Sequence, residues 1–392
     1  MPLAHWVGTW ATAPLPESAA QDQTPLAGAT VRQVVHVSLG GSQVRVRFSN
    51  AFGGGPLSFH GAHIALAAPD GGVRPGTDRS LRFAGQAAVT IPPGASFLSD
   101  PIDFALAPQV DVAISIYLDH VPEALTGHPG SRATSYLQIG DALGAPALPK
   151  ATRFTRWYFI NGIDVLAANP QAAAIAILGD SITDGHGCTT DKNDRWPDDL
   201  VRLLQARAGT ADCAVLNEGI GGNRLLRDGL GPNALARFDR DVLAPPGVRW
   251  LVMFEGINDI GTRLKAREQG VNYASAADII AAYEQIIARA KFHGIRVIGA
   301  TITPYAGAGF YWSADGEADR KTVNEWIRTS GQFDAVIDFD AALRDPKDPA
   351  RLAAVLDSGD HLHPSVAGYK VMAESVDPAL FQEPMVRAGA AP

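Results

Sequence analysis

The sequence is poor in the features that would commit it early to a function class. It has two cysteines, Cys188 and Cys213, in 392 residues. Two cannot build a disulfide framework, and their spacing is not that of a metal knuckle. They allow a single bridge or two inert thiols. There is no block of Lys and Arg and no basic amphipathic stretch; the formal net charge is -8, with the acids dispersed. Nucleic acid and membrane surfaces are therefore not expected partners. No run approaches the roughly 20 apolar residues needed to cross a bilayer. The start, Met1-Pro2-Leu3-Ala4-His5, has neither the basic residues nor the apolar core of a signal peptide. A leader removed beforehand would leave the same start. The compartment stays open between secreted or periplasmic and cytoplasmic, and nothing in the sequence bears on oligomeric state.

What is abundant is turn chemistry, with 40 Gly and 27 Pro, although apolar runs recur throughout. The length suits one large domain or two ordinary ones. Two textures favour two. Within 1–165, Val44, Val46 and Phe48 alternate with polar neighbours, as do Val110, Val112, Ile114, Ile116 and Leu118. A period of two puts one set on a core. Turn clusters such as Gly53-Gly54-Gly55-Pro56 and Pro69-Asp70-Gly71-Gly72 separate the runs, which predicts an antiparallel β-sandwich or jelly roll. The pair Trp6 and Trp10 is expected to pin the chain start into a groove rather than form a binding edge. Within 166–392, short apolar strands alternate with helices. Strands are predicted at Ala173–Leu178, Ala214–Asn217, Trp250–Phe254, Val297–Thr301 and Val336–Phe339. Helices are predicted at Trp196–Ala208, Ala274–His293, Ala318–Thr329 and Ser365–Val376. In the longest, Ala277, Ile280, Tyr283, Ile287 and Ala290 are read as one face. The order predicts an α/β three-layer fold: a parallel sheet with helices on both faces. Ligands then bind beyond the carboxyl ends of the strands.

Chemistry-bearing residues cluster at those ends. Ser181, in Gly179-Asp180-Ser181-Ile182, follows the first strand. Taken alone, a serine there is more often a helix cap than a nucleophile. Asn217-Glu218-Gly219-Ile220-Gly221-Gly222-Asn223 follows the second strand, where glycines allow a backbone N–H to approach a reacting oxygen. Gly256-Ile257-Asn258-Asp259 follows the third. Near the C-terminus, Asp360-His361-Leu362-His363-Pro364 offers an acid and two histidines. A serine with a distant Asp/His pair is the material of nucleophilic acyl transfer.

Together these four blocks resemble the GDSL esterase and lipase group, the SGNH hydrolases, over roughly 172–378. The resemblance implies an SGNH-like catalytic domain, with Ser181 as nucleophile, His363 as base and Asp360 as its orienting acid. It selects His363 over His361. It also implies an oxyanion hole of the Ser181 and Gly222 N–H groups and the Asn258 side-chain amide, and no cofactor or metal. Asp180 and Asp259 are expected to be caps and loop ties. Trp196, Asn223, Arg224, Tyr305, Phe310, Tyr311 and Trp312 are candidate substrate-binding residues; for the aromatics a core role is the plain alternative, and Arg224 leans to structure.

The expected activity is hydrolysis of short-chain carboxylic esters. Some members of the group with an N-terminal β domain act on acetylated polysaccharides, which adds carbohydrate O-acetyl esters as substrates. Two other readings stand. Asp180, Asp184, Asn258, Asp259, Asp360, His361 and His363 could serve a metal-dependent phosphoesterase, although they follow no familiar ligand spacing. A retired hydrolase could survive as a carbohydrate-binding protein, although all four blocks are intact. The junction 161–170 has no Gly/Ser or Pro-rich spacer, so the domains are expected to pack together and narrow access to Ser181.

Overall fold

The computed structural model describes residues 5–18, 25–271 and 273–382. The N-terminal part is strand-rich, as the alternation predicts. In Gly41–Ser49 the side chains of Val44, Val46 and Phe48 are buried, while Gln43, Arg45 and Arg47 are partly exposed. That strand lies between Ile160–Leu166 and Ile102–Leu106, and Ile160–Leu166 in turn pairs antiparallel with Trp6–Ala11. A second antiparallel sheet centres on Asp111–His120, which pairs with Ala29–His36 on one side and Leu57–Ala68 on the other. The two sheets share one apolar core. Trp10 is buried in it, and the guanidinium of Arg45 lies 4.0 Å over the Trp6 ring. The tryptophan pair therefore pins the chain start.

From Ala173 onward the sheet is parallel, in the spatial order Cys213–Gly219, Ala173–Gly179, Val248–Phe254, Arg296–Ala300, Ala335–Ile337. Ala173–Gly179 is buried at every position, as a strand covered on both faces must be. Helices Trp196–Gln205 and Val366–Glu374 pack on one face, and Ala276–Phe292 and Ala314–Thr329 on the other. Two helix readings shift. The buried face of Ala276–Phe292 is Ala276, Ile279, Ala282, Tyr283, Ile286, Ile287 and Ala290; Ala277 is exposed and Ile280 half-buried. A stripe spaced three and four residues apart from Ile279 absorbs more apolar area than one through Ala277. Ala314–Thr329 starts four residues earlier than expected, because Ser313 caps it by accepting from Gly316 N–H.

The two parts share packing. Ala174, Ala214 and Leu216 of the parallel sheet, with Ala172 just before it, belong to the core of the sandwich. Gly8 N–H donates to Pro246 O at 2.9 Å, and Val215 N–H to Ser38 Oγ at 3.1 Å. Cys188 and Cys213 are not joined in a disulfide. Cys188 faces Asp194 O, whereas Cys213 lies against Phe381 O. Among the described residues, no helix is long and apolar enough to cross a membrane.

Candidate active site

The site is built from strand ends. A Cβ on Gly179 would sit 2.2 Å from Thr183 Oγ1, so only glycine lets the chain fold back here. Asp180 then caps a one-turn helix, Ser181–Asp184, its carboxylate accepting from Ile182 N–H at 2.9 Å. Ser181 opens that helix. Its Oγ lies 2.8 Å from His363 Nε2, and His363 Nδ1 lies 2.6 Å from Asp360 Oδ2. Asp360 Oδ1 accepts from the N–H groups of Leu362 at 2.9 Å and His363 at 2.8 Å, so the loop carrying the histidine fixes the acid. His361 sits at φ 63 and turns to Asp357, 2.6 Å away. The structure thus joins Ser181, His363 and Asp360 and leaves His361 out.

The charges suit proton transfer. Burial lowers the His363 pKa below its ordinary value, and the nearby His186 lowers it further, against the raising effect of Asp360. Neutral imidazole is therefore the resting form near pH 7. Burial opposes the Asp360 charge, but the His363 N–H, the imidazole and the Leu362 N–H outweigh it and hold the carboxyl well below the usual range. Behind the serine, burial pushes the Asp180 carboxyl up to about 7 and the Asp259 carboxyl up to about 6. Asp259 accepts from Leu225 N–H at 2.8 Å and Leu226 N–H at 3.3 Å. Both acids serve as the structural ties expected of them.

Free donors flank the serine. Among the described residues, neither Ser181 N–H nor Gly222 N–H donates to a protein acceptor. Gly222 sits at φ 72, beside the exposed side chain of Leu230. The Asn258 amide is oriented from two sides: one Nδ2 hydrogen goes to Asn223 O at 2.9 Å, and Oδ1 accepts from Tyr311 O–H at 3.0 Å. Its second Nδ2 hydrogen has no protein acceptor among the described residues.

The candidate substrate-binding residues divide. Phe310 and Trp312 are exposed on the rim, Tyr311 is half-buried against Asn258 and Arg224 is half-buried beside Gly229. Trp196, Tyr305 and Asn223 are corrections. Trp196 has no exposed surface and packs edge-on against Phe339, because it lies on the same helix stripe as Leu200 and Leu204. Tyr305 is fully buried in the core on the opposite face of the sheet. Asn223 is 1% exposed, and its side chain is spent on Pro232 O and the Arg237 guanidinium. Of the ligands of the metal reading, Asp180 and Asp259 bind backbone N–H groups, Asp184 binds His128 and His361 binds Asp357. Among the described residues only His186, Asp360 and His363 bring three ligand-type atoms within 4.8 Å of one another.

Several neighbours were not singled out in the sequence. The His186 ring stacks on His363 at 4.0 Å; its place five residues after Ser181 was the available signal. Arg237 is buried and donates to Gly179 O, Glu218 O, Asn223 Oδ1, Asp241 and Glu255, tying three strand ends together. Its position next to Phe238 in Ala234–Phe238 marked only an ordinary helix residue.

The parallel sheet, its two helical layers and the strand-end serine define an SGNH-type α/β fold. Residues 177–371 match the GDSL-like lipase/acylhydrolase family, and this part of the chain is a domain of that family. A GDSL-like lipase from Bacteroides thetaiotaomicron is similar at 17% identity over 53% of this chain and 86% of its own, with a TM-score of 0.39. A carbohydrate acetylesterase family member from Sinorhizobium meliloti is similar at 17% identity over 53% of this chain and 97% of its own, with a TM-score of 0.40. No curated protein matches the chain.

Proposed function

We propose that the protein is a serine esterase that cleaves short-chain carboxylic esters through an acyl-enzyme on Ser181. The observation that carries this is the continuous chain Ser181 Oγ, His363 Nε2, His363 Nδ1, Asp360 Oδ2, with spacings of 2.8 and 2.6 Å. His363 Nε2 accepts the hydroxyl proton as Oγ attacks the ester carbonyl. Asp360 accepts from Nδ1–H, which fixes the tautomer and stabilises the imidazolium that forms. The same imidazolium donates its proton to the departing alcohol. Water, deprotonated by His363, then attacks the acyl-enzyme and releases the acid. The Ser181 and Gly222 N–H groups and the spare Asn258 N–H serve as oxyanion donors.

Among esters, O-acetyl groups on carbohydrates are the substrates we favour. The exposed faces of Phe310 and Trp312 suit a flat-sided alcohol such as a sugar ring. The test is acid release from aryl esters of increasing acyl length beside acetylated xylan and acetylated monosaccharides, with and without chelator. The reading requires highest kcat/KM for acetyl esters, unchanged by chelator. Loss with chelator and recovery with a divalent ion would favour metal-dependent chemistry instead.

A further inference from the structure

We infer that His128, from the N-terminal β part, is a positioning residue that holds the Ser181 helix in register with the Gly222 loop; the inference rests on the esterase reading above. His128 ends the strand Ala124–His128 and is 2% exposed. Its Nδ1 lies 2.8 Å from Ala13 O and its Nε2 lies 2.9 Å from Asp184 Oδ1. A carbonyl only accepts, so Nδ1 carries a proton. The Nε2 contact with the Asp184 carboxylate is then a hydrogen bond away from water.

Asp184 is the last residue of the one-turn helix that Ser181 opens. Two glycines pack closely against it. A Cβ on Gly130 would fall 2.0 Å from Asp184 Oδ2, and a Cβ on Gly219 would fall 2.3 Å from Asp184 N. Arg195 donates to Asp184 O at 2.9 Å and also to Ser131 O, so a second bond runs from the same turn to the β part. The other end of the contact reaches the oxyanion loop. Ala13 and Leu15, beside the Ala13 carbonyl that His128 holds, pack on Ile220, two residues before Gly222. The Trp157 ring covers His128, with centroids 5.8 Å apart. One buried imidazole thus joins the nucleophile turn to the segment that supports the oxyanion loop.

The experiment measures kcat and KM on an aryl acetate, well below the melting temperature, for the full chain carrying His128→Leu, His128→Gln, Asp184→Ala and the His128→Leu/Asp184→Ala pair. Displacement of the nucleophile turn by about 1 Å lowers turnover by about 10²-fold. His128→Leu is expected to lose kcat on that scale with KM within about twofold of the parent. His128→Gln, which keeps a donor toward Asp184, recovers part of the loss. The double variant loses no more than the worse single, because both remove one contact. If His128→Leu does not fold, Asp184→Ala breaks the same contact from the hydrolase side. Folded variants with parental kcat, or a loss confined to melting temperature, overturn the inference. Ser181→Ala in the same series separates the two claims. If it is inactive beside unchanged His128 and Asp184 variants, only the His128 role falls; if it is active, the esterase reading falls and takes this inference with it.

Discussion

On the proposed reading, Asn258→Ala removes one oxyanion donor of three. The Asn258 amide is held by Asn223 O at 2.9 Å and Tyr311 O–H at 3.0 Å, which leaves a single Nδ2 hydrogen for a reacting oxygen. Ser181 N–H and Gly222 N–H remain when it is removed. Loss of one such donor costs about 2.7–4 kcal/mol in the transition state. At about 1.4 kcal/mol per tenfold, kcat should fall about 10²- to 10³-fold. A neutral carbonyl gains little from that donor, so KM should move by no more than about twofold. The change also leaves the buried Asn223 O and the Tyr311 hydroxyl without partners, which costs roughly 1–3 kcal/mol of stability each. Thermal melts therefore accompany steady-state kinetics on an aryl acetate, so that unfolded enzyme is not counted as slow enzyme. Tyr311→Phe is the graded companion: it keeps the donor and removes one of the two contacts that orient the amide, and its loss should be smaller. A raised KM with parental kcat in Asn258→Ala would make Asn258 a ground-state binding residue and refute the reasoning.

Three further outcomes follow from the same geometry. His363→Ala should be as damaging as Ser181→Ala, about 10⁴-fold or more in kcat, whereas His361→Ala, whose ring faces Asp357, should be mild; the reverse order would misassign the base. The kcat/KM profile should rise with pH through an apparent pKa below about 6.5 and stay level to pH 8, because burial lowers the His363 pKa and the base must be neutral; a midpoint above 7 would contradict this. Asp180 is raised by burial to about 7, so it favours the fold fully only below its unfolded pKa, and that contribution is lost as pH rises through about 7. Urea midpoints should therefore show Asp180→Asn gaining on the parent between pH 5 and pH 8; a difference constant with pH would count against the buried acid.

The hydrolase half was legible because its signals are local. Short apolar runs such as Ala173–Leu178 read as buried parallel strands, and the serine, glycine, amide and histidine blocks follow strands whose order brings their ends together. The choice between His361 and His363 was not local. Spacing allowed either, and only the turn at His361 with its Asp357 partner separates them in space. Trp196 was misread although the sequence held the answer: it precedes Leu200 and Leu204 at helical spacing, which puts all three on the sheet side. Tyr305 follows a strand end, as rim residues do, but the chain turns its ring inward. The pairing of His128 with Asp184 left no trace, since 56 residues and a different sheet separate them. The sandwich was expected to shape access to Ser181; the contacts described from it reach the serine turn through His128 and Ser131.

The most direct test of the central claim is covalent trapping. The full chain is incubated with a fluorophosphonate, and the adduct is located by intact mass and peptide mapping. The account predicts one adduct, on Ser181, formed at the rate at which esterase activity disappears, absent in Ser181→Ala and strongly slowed in His363→Ala. An adduct on another residue that tracks the loss of activity, or parental turnover in Ser181→Ala, would contradict it.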